Sequence, residues 1–458
     1  MNSHSRRLWL LPALTLLGLQ IEACNTDKIL DVRDPDIIPD ANSAAGAIAM
    51  KNGVILRLTQ ATNGIQGPDA LFAYSGMLAD EYNSGDTFIQ RNTMDQRIWD
   101  PTNTFGAGPF RSLSRVRVEG QAAIAALRKY SPTPASNVGL MFALIGYSEN
   151  LAGELYCNGI PLSSLSGSTV VYGDPLTDDS VFTIATASAD SALANRAGSA
   201  DSVRVKQLAA VVKGRALLNR GQFAAAATAV AAVVDTFHYD VAHSTVSTTN
   251  QIWALNNNAR RYTMGDREGT NGLPFYSAND PRLPRAQGTK NPDDLIFDTA
   301  YPFFVIRQGI WGPSTSVKIA TGIEARLIEA EAALKILDYT TWLNKLNALR
   351  ANAALLPVPQ TGFTAGPALT PLVDPGASPN DTLRVNLMFR ERAFWMYSTG
   401  HRLGDLRRLV RQWARAIESV YPTGAWFKGG NYGDATMLPI PFDEQNNPKF
   451  VQCLDRNP

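Results

Sequence analysis

The sequence is poor in the residues from which active sites are most often built. It has only four histidines, and His238 and His243 have no cysteine or acidic cluster near them at metal-ligand spacing. It also lacks a glycine-rich phosphate loop and a nucleophile elbow. These absences predict no metal site, no cofactor and no enzymatic activity.

An excess of charge of one sign is lacking as well, since 42 lysines and arginines face 41 aspartates and glutamates. A net charge of +1 argues against a nucleic-acid partner, because neutralising phosphates requires a basic surface. The best candidate for a basic patch is the arginine-rich stretch 402–411, for which internal salt bridges are the favoured interpretation. With 458 residues, 45% of them hydrophobic, the chain is long enough to bury a sizeable core.

Long hydrophobic runs are absent except near the N-terminus. Two arginines precede an apolar run at residues 8–19, which is too short to span a bilayer comfortably and is typical of a signal peptide. The residues Ile-Glu-Ala-Cys at 21–24 then resemble the lipobox of bacterial lipoproteins, with Glu22 where a small uncharged residue is usual.

We therefore predict a lipoprotein signal peptide in residues 1–23 and lipidation of Cys24, which would anchor the chain to a membrane. Residues 24–40 are rich in aspartate and are predicted to form an acidic tether. The alternative is a plain signal peptide cleaved nearby, with Cys24 as a chance thiol.

Two further cysteines remain, Cys157 and Cys453. In an exported chain an even pair can form a disulfide, which here would link the C-terminal tail to the first half of the sequence. Two buried free thiols are the alternative.

Helical periodicity dominates the rest of the sequence and predicts a mainly all-α fold in a single domain, residues 41–458. Residues 203–234 carry the spacing of a tetratricopeptide helix pair, and 323–350 are a degenerate second copy. We expect such pairs to form a right-handed helical scaffold that is not a long regular solenoid. N-terminal helices are predicted for 41–236, a loop-rich ligand region for 237–321, and C-terminal helices and a tail for 322–458.

A charge-dense, aromatic-rich corner is predicted around residues 387–409. Arg392 projects from an apolar helical arc, and burying an unpaired arginine is costly, so it must find a carboxylate. Glu324 and Glu331, seven apart on a predicted helix, are natural counter-charges for Arg392 or Arg390. We therefore assign structural roles to these four residues and to Arg402 and Asp405.

This corner is similar to the C-terminal signature of the SusD/RagB family. The matching motifs are Arg390-Glu391-Arg392, Gly400-His401-Arg402 and Asp405-Leu406-Arg407-Arg408, followed by a Leu-Pro-Ile-Pro stretch at 438–441. Asp280-Pro281-Arg282 resembles a further turn of the family. The resemblance implies a nutrient-binding lipoprotein on the extracellular side of a bacterial outer membrane, which delivers an oligosaccharide or peptide to a SusC-like TonB-dependent transporter.

Two loops carry the aromatic, amide and charged residues that suit a sugar ligand. In the family the ligand site is built from corresponding loops. The predicted ligand contacts are Tyr82, Asn83, Arg91 and Asn92 in the first loop, and Arg261, Tyr262 and Tyr276 in the second.

Two other functions are compatible with the sequence. One is a periplasmic tetratricopeptide scaffold that binds a protein partner. The other is an all-α glycoside hydrolase in which Glu324 and Glu331 act as paired carboxylates, an arrangement that we judge less consistent with their place beside a helix stripe.

Overall fold

Helices that pack one against the next form the framework of the structure. It is a computed structural model that describes residues 42–64, 69–167, 169–198, 201–288 and 294–458. The predicted signal peptide, Cys24 and the acidic tether lie outside the described residues. Within these ranges the α-helices are α1 (Ala44–Thr62), α2 (Leu71–Ala79), α3 (Ile89–Asp95), α4 (Ala107–Tyr130), α5 (Ser136–Leu155), α6 (Asp178–Ala194), α7 (Ser202–Asn219), α8 (Phe223–Val230), α9 (Gly322–Lys335), α10 (Tyr339–Ala351), α11 (Thr382–Trp395) and α12 (Arg402–Trp413).

The helices form one continuous stack. Helix α1 packs on α4, and α4, α5, α6, α7, α8, α9 and α10 then each pack on the next. The mainly α-helical prediction is therefore confirmed. In the described part of the chain, no helix combines the length and the apolar character needed to cross a bilayer.

The predicted tetratricopeptide pair corresponds to α7 and α8. Gly214 allows the two helices to approach closely, because a Cβ at this position would overlap the side chain of Val230. Gly221 makes the turn between them with a positive φ of 70°, a conformation that glycine adopts without strain. Phe223 at the start of α8 is buried, and Ala226 is fully buried one turn later.

Short strands pair in antiparallel two-stranded ladders: β1 (Tyr82–Ser84) with β7 (Tyr262–Met264), β2 (Ile160–Pro161) with β5 (Pro175–Leu176), β3 (Ser164–Ser166) with β4 (Thr169–Val171), β6 (His238–Val241) with β10 (Val317–Thr321), and β8 (Arg285–Gln287) with β9 (Ile306–Gln308). The two loop regions of the sequence analysis are therefore more ordered than predicted. The first loop contains β1 and α3, and the central region contains five strands and a π-helical turn at Trp253–Asn258.

The C-terminal tail is joined to the first half of the chain. Cys157 and Cys453 form a disulfide with an S–S distance of 2.06 Å. Close to it, the Cys157 amide donates to the Leu438 carbonyl at 2.9 Å.

Buried ion pairs fill the corner around α11 and α12. Arg392 donates two hydrogen bonds to Asp405, both at 2.9 Å, and lies 3.7 Å from Glu331. Arg408 bonds both Glu331 and Asp405, which completes the cluster. Burial alone would raise the pKa of Asp405, but Arg392 and Arg408 hold it well below its ordinary value.

The pairings predicted for Glu324 and Arg390 differ in the structure. Glu324 contacts the His401 ring at 3.1 Å and Arg215 at 4.0 Å, not Arg390 or Arg392. Arg402, for which no partner was predicted, reaches α2 and binds the Asp80 carboxylate at 2.6 and 2.7 Å. Arg390 lies outside the buried cluster, with 35% of its side chain exposed and Glu391 3.5 Å away.

Candidate functional site

An open cleft of about 570 Å³ lies among loops, most of which come between α8 and α9 in the sequence. We call it the loop cleft. It is lined by residues from three segments, 263–269, 302–306 and 425–432, together with Asn83 and Gln287.

The ladder between β1 and β7 forms part of the cleft wall. Asn83 lies opposite Thr263 in this ladder, and both residues line the cleft. Successive side chains of a strand point to opposite faces, so the neighbours of this pair point into the core. Tyr82 and Tyr262 are accordingly 0% and 1% exposed.

Exposed aromatic rings stand on another side of the cleft. Phe303 and Phe304 are 48% and 40% exposed, which is unusual for such large apolar side chains. Phe303 packs edge-on against Phe427, with ring centroids 5.6 Å apart. Together these rings present an apolar surface to the cleft.

The flanking residues hold Phe427 in position. Trp426 is buried, and its indole nitrogen donates to Asp95 at 3.1 Å. Lys428 is buried as well, and its ammonium group bonds the Asp86 carbonyl at 2.6 Å and the Asp298 carboxylate at 3.0 Å. With both neighbours anchored inward, Phe427 is directed towards the cleft.

Polar side chains complete the lining. The Asp266 carboxylate accepts hydrogen bonds from the amide and hydroxyl of Ser277, both at 2.9 Å. Arg267 is exposed beside it. Gln287 accepts a bond of 2.9 Å from the Tyr276 hydroxyl.

Two buried carboxyl groups lie under this surface. Burial raises the pKa of Asp95 to about 7, and the hydrogen bonds from Ser84 and Trp426 oppose that rise. Burial, followed by the charges of Asp95 and Asp80, raises the pKa of Glu268 well above its ordinary value. Burial therefore disfavours the charged form of Glu268, and Asp266 and Arg267 carry opposite charges.

The seven predicted ligand contacts fall into different places. Asn83 lines the cleft, and Tyr276 borders it through Gln287. Tyr82 and Tyr262 lie in the core, where their hydroxyls donate to Ser398 at 2.9 Å and Asp69 at 2.6 Å. Both rings are buried and neither lines the loop cleft, contrary to our expectation.

The other three predicted contacts support the loops from beneath. Arg91 is 2% exposed and pairs with Asp69 at 3.1 Å. Arg261 pairs with Asp86 at 2.5 Å and stacks on Phe297. Asn92 accepts from Ser84 and from Lys428.

Sequence analysis missed Phe427 and Tyr432, which come from the C-terminal region and not from the two predicted loops. A local signal for them exists. Residues 426–432 read Trp-Phe-Lys-Gly-Gly-Asn-Tyr, and Gly429 and Gly430 both have positive φ. An aromatic-rich segment around a glycine turn is typical of an ordered loop that presents side chains.

The arrangement suits binding better than catalysis. A flat apolar surface and hydrogen-bonding side chains meet in one cleft, which is a common composition for small-molecule sites. The carboxylates proposed for the hydrolase alternative, Glu324 and Glu331, are 1% and 0% exposed and paired with cations elsewhere. They do not line the loop cleft.

Comparisons with known proteins point to one fold. No protein-family model and no curated protein sequence matches the chain. Solved structures do match: a SusD-like protein from Bacteroides fragilis has a TM-score of 0.61 and 12% identity, over 91% of this chain and 98% of that one.

Other solved structures agree. A SusD/RagB family protein from Bacteroides thetaiotaomicron gives a TM-score of 0.60 at 14% identity, covering 88% of this chain and 94% of its own. A laminarin-binding SusD-like protein gives 0.54 at 15% identity, with 90% and 99% covered. The chain therefore has the SusD-like fold that its C-terminal motifs predict.

Proposed function

We propose that the protein binds an oligosaccharide in the loop cleft. The observation that carries this proposal is an aromatic surface, formed by the exposed Phe303 and Phe304 and the half-buried Phe427, that lines the same cleft as amide and charged side chains. Aromatic faces cover the apolar C–H faces of sugar rings, while Asn83 and Gln287 can bond the hydroxyls.

The charges of the cleft favour a neutral glycan. Asp266 and Arg267 carry opposite charges, and burial raises the pKa of Glu268 and so disfavours its charged form. A strongly acidic or basic ligand would find no uncompensated counter-charge on these residues. The SusD-like fold supports the same class of ligand, since one solved structure of this fold is described as a laminarin-binding protein.

We further propose that the protein is a lipoprotein of the bacterial outer membrane, anchored through Cys24 on the extracellular side. It would pass its ligand to a SusC-like TonB-dependent transporter. This proposal rests on the family resemblance and on the lipobox at 21–24. Incorporation of a labelled fatty acid into the full chain, abolished by Cys24→Ser, would support it, and labelling of that variant would contradict it.

We propose that the protein binds its ligand without cleaving it. The support is the burial of Glu324 and Glu331, since a glycosidase needs two carboxyl groups that reach the glycosidic bond. A peptide ligand and a periplasmic scaffold are the alternatives. Protection of the chain from protease added to intact cells would favour the scaffold.

A glycan and peptide array tests the ligand class directly. We expect binding to neutral glycans and not to peptides. Phe427→Ala should weaken that binding about tenfold or more, because covering one phenylalanine side chain contributes roughly 1.5–3 kcal/mol. The matched control is Phe442→Ala, which removes a phenylalanine that is 50% exposed and lies outside the cleft. Equal losses in the two variants would argue against this site.

A further inference from the structure

A second cleft, of about 480 Å³, opens beside α11 and α12 and shares no lining residue with the loop cleft. We call it the arginine cleft. Its lining includes Arg390, Arg402 and Arg415, the amide side chains Asn271 and Asn386, and an apolar set consisting of Leu273, Leu387, Phe389, Leu406, Leu409 and Val420.

Arg390 is poorly neutralised at this cleft. Its nearest carboxylate, Glu391, is 3.5 Å away and already accepts hydrogen bonds from Arg282 at 2.7 Å and Arg350 at 2.9 Å. Within the described residues, Arg390 itself donates no hydrogen bond and lies with its guanidinium over the Phe394 ring. Burial, together with the charges of Arg282 and Arg350, lowers the pKa of Arg390.

Arg415 has no carboxylate within ion-pair distance among the described residues. It bonds only neutral acceptors, namely the carbonyl of Thr382 at 3.0 Å, the hydroxyl of Thr382 at 3.2 Å and the amide of Asn386. Partial burial lowers its pKa from the ordinary value. Arg402, by contrast, is neutralised by its two bonds to Asp80.

The arginine cleft therefore combines two cations with an apolar floor: Arg390 shares its one ion-pair partner with Arg282 and Arg350, and Arg415 has no carboxylate partner among the described residues. An anion placed here would gain charge-assisted hydrogen bonds from both guanidinium groups. The floor of leucine, phenylalanine and valine side chains would in turn favour an apolar group attached to the anion.

We propose that the arginine cleft is a second binding site, for a small organic anion whose carboxylate pairs with Arg390 and Arg415 while its apolar body lies on the floor. The proposal is independent of glycan binding at the loop cleft. It also explains why Arg390, two positions from Arg392 on the same helix, lies outside the buried ion-pair cluster.

Calorimetric titration of the full chain with octanoate and with octanamide tests the site. The two probes have the same apolar chain and differ in charge. We expect octanoate to bind about tenfold or more tightly than octanamide, because charge-assisted hydrogen bonds contribute roughly 1.5–3 kcal/mol.

The variants Arg390→Gln and Arg415→Gln should each lose most of that preference. The matched control, Arg128→Gln, removes an exposed arginine on α4 and should leave octanoate affinity unchanged. Arg390→Gln removes no hydrogen bond, and Glu391 keeps its bonds from Arg282 and Arg350, so the variant should remain folded with a melting temperature close to that of the wild type. If Arg415→Gln folds poorly, Arg390→Gln decides the question. Glycan binding should persist in both variants.

Several results would overturn the proposal. They are an absence of octanoate binding at millimolar concentrations, equal affinity for octanoate and octanamide, or full octanoate affinity in folded Arg390→Gln.

Discussion

Arg390 and Arg392 lie two positions apart on α11 and have different surroundings. Arg392 is 3% exposed and bonds Asp405 twice, with Glu331 also within ion-pair distance. Arg390 is partly exposed and donates no hydrogen bond within the described structure. Two arginines of one sequence motif, Arg390 and Arg392, thus have different physical roles.

The first prediction contrasts these two arginines. Arg392→Ala should lower the free energy of unfolding by about 3–5 kcal/mol, because it leaves the buried Asp405 and Glu331 with fewer counter-charges. Arg390→Ala should change it by less than about 1 kcal/mol, because Arg390 is partly exposed and Glu391 keeps its hydrogen bonds from Arg282 and Arg350. Urea unfolding measures both. Equal destabilisation by the two changes would contradict the assigned roles.

The second prediction concerns pH. Burial, followed by the effect of Asp80, raises the pKa of Glu81 from 4.5 to about 8, against an opposing hydrogen bond from the Ser398 amide. A raised carboxyl pKa means that the folded state binds the proton more tightly than the unfolded state. The stabilisation is therefore fully present below pH 4.5 and is lost as the pH rises towards 8.

We expect the free energy of unfolding to fall between pH 5 and pH 8, and Glu81→Gln to make that decline shallower. Asp69 and Asp95 have raised pKa values of about 6 and about 7 and should leave a residual decline in the variant. Chemical denaturation across this range is the measurement. A free energy of unfolding that rises between pH 5 and pH 8 in the wild-type protein would contradict this prediction.

Residue types alone identified candidate binding groups but not the direction in which each points. Tyr82 and Asn83 are neighbours in β1, yet the first is in the core and the second lines the loop cleft. Their opposite directions follow from strand alternation, which could be applied only if residues 82–84 were recognised as a strand. The loop segment 425–432 was missed because its approach to the cleft depends on long-range contacts.

Helices were the elements that the sequence predicted best. The helix pair predicted within 203–234 lies close to the observed α7 and α8, because side-chain periodicity is a local property. The strands of the central region are three to five residues long, and some pair with partners distant in sequence, as β7 does with β1. Such short elements carry too little periodicity to be recognised.

The third prediction tests the packing of α7 on α8. A Cβ at Gly214 would overlap Val230, so Gly214→Ala should destabilise the protein despite the better helix propensity of alanine. Gly53 in α1 is the matched control, since a Cβ there meets no atom within 4 Å. Gly53→Ala should stabilise the protein by about 0.5–1 kcal/mol. Thermal unfolding distinguishes the two signs, and stabilisation by both changes would contradict the close helix approach.

At the scale of the whole molecule, the helical stack supports loops that come from distant parts of the sequence. The loop cleft draws Asn83 from the first quarter of the chain and Phe427 from its end. Buried contacts connect these parts, including the Trp426 bond to Asp95 and the Arg402 pair with Asp80. The resemblance to SusD/RagB motifs predicted this fold, while the composition of the cleft emerged only from the structure.

Hydrogen–deuterium exchange of the full chain, with and without the strongest glycan from the array, tests the location of the site most directly. The account predicts slower amide exchange in segments 263–269, 302–306 and 425–432 when glycan is bound, with little change in α7 and α8. Protection that is absent from these segments, or confined to another surface, would contradict a glycan site in the loop cleft.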